Sequence, residues 1–481
     1  MSNPLQASAP LPPKERLDPY LVRMTIILLI GSLAPLLDTT ITNVAIHTLG
    51  EALHASVSSI QWVMTSYLLA LGMIIPFSGW ALERFGGKRV WIFALAVFLA
   101  GSLLCSLAWN LGSLIAFRAI QGLGGGLMIP VMQTMLVRAA GNRKLGKLMA
   151  VAGLPALIGP ILGPVLGGVI VDQLDWRWIF YVNLPVCILA IALAWRGLAN
   201  DPPSQHAGRP DVTGLLLITP SLVLLIYGLA EVGPHHGFGH GSVLLPLLLG
   251  TVLLILFVFH TLFRTRNPVI DIRLFKLRSF SASTVLLFLS GLSTYGGMLL
   301  LPMFYQQVRG EGILVSGLLL VPQGVGMLLT RSLAGKLTDQ IGPRPVVIGG
   351  LLLTALGTLP FTMAGADTSL YLLGGSLIIR GAGLGAVFLP LLAASYQGLK
   401  KEDIAHASTA TRIIQQIGGA FGASVLAVIL EHQLTGLSSA GAMAAQAYDR
   451  TFLWSLCFTV VGLLPAALLP RIARGGSGQA G

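Results

Sequence analysis

Apolar stretches about 20 residues long recur through this 481-residue chain, separated by short polar joints, and nothing else constrains its fold as tightly. A helix of about that length crosses the hydrocarbon core of a bilayer, and only helices and closed barrels satisfy their own backbone there. Read on that length, the sequence predicts fourteen spans, at approximately 22–47, 61–82, 90–109, 111–136, 146–171, 178–198, 212–231, 241–263, 281–305, 313–335, 345–365, 369–394, 409–431 and 450–470. The chain is only 10% charged and 54% hydrophobic, whereas a soluble domain is about 25% charged. The expected fold class is therefore an all-α integral membrane protein.

The basic residues test this topology independently. With the N-terminus inside, 23 of the 30 Lys and Arg fall in cytoplasmic loops. Only Arg177, Arg309 and Arg450 fall outside, and Arg118, Arg331, Arg380 and Arg412 lie within spans. Cytoplasmic loops carry the excess of Lys and Arg, so both termini are expected in the cytoplasm, and an odd number of spans would scramble the pattern. The same distribution accounts for the net charge of +12. Scattered beside spans, these charges face anionic lipid and ask for no nucleic-acid partner. The polar, proline-rich tail at 1–20 precedes no cleavable signal, and a second cytoplasmic tail is expected at 471–481. Cys105, Cys187 and Cys457 all fall within spans, where apolar packing is the expectation and no disulfide or metal framework is implied.

Two loops betray an internal duplication. Gly79-Trp-Ala-Leu-Glu83-Arg84-Phe-Gly86-Gly87-Lys88-Arg89 follows the second span, and Gly335-Lys336-Leu-Thr-Asp339-Gln-Ile-Gly342-Pro-Arg344 follows the tenth. In each, an acid stands four residues after the first glycine, and another glycine stands seven after it. The glycines permit a tight turn, and the charged residues can cap or bridge helix ends. Two six-helix halves related by an axis along the membrane normal form one of the repeat patterns of transporters. Because the second copy follows the tenth span and not the eighth, two extra helices stand between the halves. The predicted organisation is 6+2+6: an N-terminal bundle over 21–200, an insert with linkers over 201–270 and a C-terminal bundle over 271–470.

Inside the spans, three features carry chemistry. Asp38, in Leu-Leu-Asp38-Thr39-Thr40-Ile-Thr-Asn43, is the one carboxylate deep in any predicted span. It stands about 24 Å along its helix, in the outer half, and an acid there is costly enough to be a functional candidate. Arg118 opens Arg118-Ala-Ile-Gln121-Gly122-Leu-Gly124-Gly125-Gly126 and shares a helix face with Gly122 and Gly126. Arginine keeps its proton in a protein, so it needs a partner, and Asp38 is the evident one. Residues 151–171 hold the third feature, with Gly159, Gly163 and Gly167 four apart beside Pro160 and Pro164, and Gly168 next in line. Such a small-residue stripe lets two helix backbones approach closely in lipid.

Taken together, these segments resemble the major facilitator superfamily, and within it the fourteen-helix drug:proton antiporters. The stretch at 79–89 resembles the superfamily signature between its second and third helices, where Glu83 stands in place of the usual aspartate. That likeness implies a gating role for Gly79, Glu83, Arg84, Gly86, Lys88 and Arg89, and for Gly335, Asp339, Gly342 and Arg344 in the second copy. The run at 151–171 looks like the antiporter motif of proton-coupled exporters. Asp38 falls in what looks like that group's first-helix motif and Arg118 in its fourth-helix motif, which implies proton coupling for the first and proton transfer for the second. His47 stands where the pattern carries proline. The strings Trp176–Pro185, Asn267–Phe275 and Thr411–Gly419, the last with Arg412, are also similar to features of this group. The resemblance implies a major facilitator fold with fourteen transmembrane helices.

Competing classes find little support in the residues. No G-x-x-x-x-G-K-[ST] loop is present to power an ATPase and no HExxH. The glycines at 122–126 and 381–385 lie in spans, where packing explains them, and His235, His236 and His240 sit in a polar loop. No enzyme activity, cofactor or metal is expected; the proton gradient supplies the energy. The expected function is a proton-coupled antiporter exporting drugs or amphiphilic small molecules, as a multi-pass monomer in the cytoplasmic (inner) membrane of a bacterium. Its partners are then a small-molecule substrate, protons and the lipid bilayer. The alternative is an exporter or uptake permease of one metabolite such as an organic anion, since the spans hold four arginines to one deep acid. Thr39, Asn43, Gln121, Tyr295, Phe304, Gln323 and Arg412 are the candidate walls of the substrate site.

Overall fold

The computed structural model describes the chain from Pro19 to Pro470, apart from residues 56, 61, 141–161, 164–165, 171–172, 201–210, 233–234, 236, 265–267, 401 and 435–440. Both tails, all but the last two residues of the first, lie outside the described residues. So do most of the fifth predicted span and, with it, Gly159, Pro160 and Pro164.

Among the described residues all regular structure is helical. The N-terminal half contributes α1 (Pro19–Val44), α2 (Ile46–Ala52), α3 (Val57–Ile60), α4 (Trp62–Ile74), α5 (Phe77–Phe85), α6 (Gly87–Ser106), α7 (Leu111–Ala140), α8 (Trp178–Tyr181) and α9 (Asn183–Gly197). The insert is α10 (Val212–Ala230) and α11 (Gly241–Phe263). The C-terminal half contributes α12 (Arg278–Gln307), α13 (Ile313–Leu319), α14 (Val321–Ile341), α15 (Pro343–Thr358), α16 (Leu370–Tyr396), α17 (Asp403–Leu434), α18 (Gly441–Val461) and α19 (Leu463–Ala466). Among the described residues, eleven helical segments are long and apolar enough to cross a bilayer, or twelve when α4 and α5 are read as one bent span. The second predicted span, 61–82, is thus bent by 54°. Pro76 follows Ile74 at the break, and proline removes a backbone donor and clashes with the preceding turn.

The duplicated motifs are more helical than the loops the sequence predicts. Gly79, Glu83 and Arg84 lie within α5, and Gly335 and Asp339 within α14. The turn itself is made at Gly86 (φ 81°) and Gly342 (φ 85°), a backbone region only glycine enters without strain. Gly79 instead serves helix packing, its bare face lying against Ala405 and Thr409 of α17.

Packing distinguishes the two ends of the molecule. At the end bearing Gly86 and Gly342, one apolar cluster runs continuously from Met132, Met135 and Leu136 of α7 to Ile404, Ala407 and Ala410 of α17. At the other end the core divides into a cluster around Ile41, Ile179 and Phe180 and a separate one around Phe304, Phe361 and Phe452. The halves therefore meet at the glycine-turn end and part towards the other. The insert lies along one side of this seam. Its α10 stacks Tyr227 on Trp62 of α4 (ring centroids 6.0 Å) and takes a hydrogen bond at Leu229 from Ser424 of α17 (2.5 Å). At the base of the insert, Asp211 caps α10 through the Gly214 amide (2.9 Å) and accepts from His260 of α11 (2.8 Å).

Candidate functional site

The polar centre of the N-terminal half is assembled from four helices. Asp38 of α1 and Arg118 of α7 meet at 2.5 Å between Oδ2 and Nη1, with both side chains at 0% exposure. The other carboxylate oxygen accepts from Gln121 Nε2 and from Asn183 Nδ2 of α9, each at 2.9 Å. Ser102 of α6 closes the ring, accepting from the same two amides at 3.2 and 3.0 Å and donating to the Phe180 carbonyl at 3.0 Å. Arg118 also donates to Gln121 Oε1 (2.7 Å) and to the Val63 carbonyl (3.3 Å), and its guanidinium lies 4.3 Å from the Tyr67 ring centroid. In a dry interior such a cluster is tolerable because its charges are paired and hydrogen-bonded. Its chemistry is that of one titratable group held against one fixed cation.

Asp38 and Arg118 are thus brought together as the sequence suggests. Gln121 also joins them, as a hydrogen-bonding member of the cluster. Asn183, Ser102 and Tyr67 are members that sequence reasoning misses. In the sequence Asn183 stands out only as part of an aromatic interfacial string, and its isolation as an amide at the start of an apolar helix is the available signal. Around the cluster, Thr39 is half-buried and bonds its own turn at Pro35 (2.7 Å), while Asn43 is exposed. Gly163 of the glycine stripe is buried with its bare face on Thr40 of α1, so the stripe abuts the helix that carries Asp38. Gly167 is buried and Gly168 half-buried.

In the C-terminal half, Tyr295 is half-buried against Gly419, and Gln323 accepts from Arg380. Arg412 is half-buried and donates to Gln415 of its own helix (3.2 Å). Phe304 is apart from these: it is fully enclosed by the rings of Tyr305, Phe361, Tyr448 and Phe452.

The first copy of the duplicated motif sits at the end of the seam where the halves meet. Ser78 of α5 and Thr409 of α17 approach to 3.1 Å between hydroxyls, and Ser408 donates to the Pro130 carbonyl of α7 at 3.0 Å. Glu83 stands 3.9 Å from Arg138 of α7 and 4.0 Å from His406 of α17. His406 also meets the Val269 carbonyl at 3.0 Å. Glu83 therefore lies within 4.0 Å of side chains from both halves.

Comparison with known proteins agrees with this architecture. The multidrug resistance protein B homolog of Mycobacterium tuberculosis (strain ATCC 25618 / H37Rv) is 35% identical over 494 residues, covering 95% of this chain and 91% of that protein. The multidrug export protein EmrB of Haemophilus influenzae (strain ATCC 51907 / DSM 11121 / KW20 / Rd) is 30% identical, covering 84% of this chain and 79% of its own. A double-tryptophan variant of XylE shares the fold at a TM-score of 0.67 and 16% identity, with 95% of this chain and 97% of that one covered. The profile of the Major Facilitator Superfamily matches residues 28–423, through both halves and the insert between them. The chain belongs to the Major Facilitator Superfamily of membrane transporters.

Proposed function

We propose that this transporter is a proton-coupled antiporter that exports drugs or other amphiphilic small molecules by alternating access. The observation that carries the proposal is the fully buried Asp38–Arg118 pair. An intramembrane carboxylate tied to a cation that cannot deprotonate is a device for reading proton entry. A proton arriving at Asp38 neutralises it, and Arg118 keeps only the Val63 carbonyl, Gln121 and the Tyr67 ring. Breaking a buried pair costs about 3–5 kcal/mol. A conformation that relieves this cost gains population, because a ligand shifts an equilibrium by its differential affinity for the two states. Release of the proton on the cytoplasmic side restores the pair and resets the cycle.

In this reading the glycine-turn end is cytoplasmic, the structure is closed there, and the seam opens outwards. The substrate lies between the halves near the midplane, against Thr39, Asn43, Tyr295, Gln323 and Arg412. The protein is a monomer of fourteen spans in the cytoplasmic membrane of a bacterium. Its remaining two spans are the segment at 146–171 and the terminal pair α18–α19. Names of relatives as multidrug exporters support the substrate class.

The test is drug accumulation in everted membrane vesicles. Uptake of at least one of a set of anionic, neutral and cationic fluorescent amphiphiles that follows an imposed pH gradient and collapses on adding nigericin is the expected result. Uptake that persists unchanged without the gradient would refute antiport and leave facilitated movement.

A further inference from the structure

The two halves repeat their helix packing but not their charges. In α6 and α7, Gly101, Gly122, Gly124 and Gly126 press on backbone atoms of Gln121, Tyr67, Phe98 and Leu71. In α15 and α16, Gly357, Gly381, Gly383 and Gly385 press on those of Arg380, Gln323, Thr354 and Met327, in the same register. Arg380 therefore occupies the place of Gln121, and Gln323 that of Tyr67. In the N-terminal half the Gln121 amide donates to Asp38. In the C-terminal half the Arg380 guanidinium lies against Gly297 of α12, which offers no side chain. Arg380 donates instead to Gln323 Oε1 and to the Ser293 carbonyl (3.1 Å), both neutral. Among the described residues, no carboxylate pairs with it.

A second unanswered cation stands where the halves part. Ser408 and Thr409 close the seam, and Arg412 lies one turn further along the same face of α17. Among the described residues its one hydrogen bond is to the neutral Gln415, and its Nε is buried without a partner there. Across the seam, Tyr67 of α4 is buried with its hydroxyl near Thr39 and within electrostatic reach of Arg412. Asp38, the acid of this region, is fully engaged by Arg118, Gln121 and Asn183.

We infer, building on the exporter reading, that the transported molecule carries an anionic group, a carboxylate or sulfonate, and that Arg412 receives it. A guanidinium presents a planar fork of donors matched to such oxygens. At the base of the seam an anion would meet the free Nε–H of Arg412 and the Tyr67 hydroxyl. A cationic ligand would face Arg412 with no acid left to oppose it, because Asp38 is enclosed behind its own partners. The single acid thus serves the proton, and the C-terminal half serves the substrate charge.

The test uses three probes on one scaffold with permanent charges: a naphthalenesulfonate, a naphthyltrimethylammonium and a neutral naphthyl sulfone. Binding to the purified full-length protein is measured by equilibrium dialysis. The sulfonate should bind at least about tenfold more tightly than the ammonium, as a charge-assisted bidentate contact allows. Arg412→Gln should erase that preference, and Arg412→Lys should keep part of it. Sulfonate binding no tighter than ammonium binding, or absent, in the wild type overturns the inference without recourse to any variant. So does an Arg412→Gln protein that elutes as a monodisperse peak and keeps the preference. The exporter reading fails by a separate result, the lack of pH-driven movement of every probe and of every fluorescent amphiphile of that set in vesicles.

Discussion

Asp38→Asn removes one charge from a cluster in which every donor is already committed. The wild-type carboxylate accepts from Arg118 on one oxygen and from Gln121 and Asn183 on the other. An asparagine has one oxygen for these two sides. With its oxygen towards Arg118, its NH2 faces two amide NH2 groups, and Asn183 or Gln121 must flip to accept. Gln121 is already used as an acceptor by Arg118, so the flip falls to Asn183, whose Oδ1 then accepts from the new amide while its Nδ2 no longer donates to Ser102. The larger effect is electrostatic. Arg118 is left charged at 0% exposure, a loss of about 3–5 kcal/mol, while its contact with the Tyr67 ring is retained in both proteins. A stability of about 5–15 kcal/mol absorbs that, so the variant should fold. It should also behave as a transporter held in its proton-loaded state. The assay is substrate-induced proton release from proteoliposomes, which should fall to background while the protein elutes as the wild type does. Undiminished release from Asp38→Asn, with a collapse in Glu83→Gln instead, would place the proton site in the gating motif and refute the mechanism.

Three further outcomes follow from particular contacts. Ser78→Cys with Thr409→Cys, in a Cys457→Ser background, should cross-link under mild oxidant and stop efflux until reduced, because the two hydroxyls stand 3.1 Å apart across the seam; efflux that continues in the cross-linked protein would show that these helices need not separate. Gly163→Leu should abolish efflux at normal expression, since even a Cβ there collides with Thr40 and overpacking costs about 1–3 kcal/mol; full efflux would show the stripe to be incidental. Asp211→Ala should lower the melting temperature, since it removes the N-cap of α10, a loss of about 0.5–2 kcal/mol, together with the acceptor of His260; an unchanged melting temperature would show that the base of the insert is not held there.

The legibility of this chain follows from how costly each feature is. A deep acid and a deep arginine in apolar spans are so expensive that each must find a partner, and with one acid available the Asp38–Arg118 pairing can be read by elimination. Asn183 and Ser102 carry no charge, cost far less to bury, and are common in spans; only the closure of α6, α7 and α9 around Asp38 reveals them. The gating motif is legible as a place but not as a conformation. A glycine in a turn and a glycine under a neighbouring helix look alike in sequence, and it is the packing of α17 on Gly79 that assigns the turn to Gly86 instead. Phe304 is hidden for a similar reason: the rings that enclose it, Tyr448 and Phe452, come from the far end of the chain.

The strength of the seam ties these observations to transport. Among the described residues, the polar links across it are one hydroxyl pair, one hydroxyl–carbonyl bond and one 4.0 Å approach of His406 to Glu83. A neutral hydrogen bond contributes about 0.5–1.5 kcal/mol net, and a partly exposed ion pair about 0–1 kcal/mol. These polar links therefore sum to a few kcal/mol, the same order as the cost of unpairing Arg118 when Asp38 takes up a proton. In the proposed cycle, small hydroxyl residues keep these polar links weak enough for one proton on Asp38 to be commensurate with them, while the apolar cluster from Met132 to Ala410 holds the closed end together.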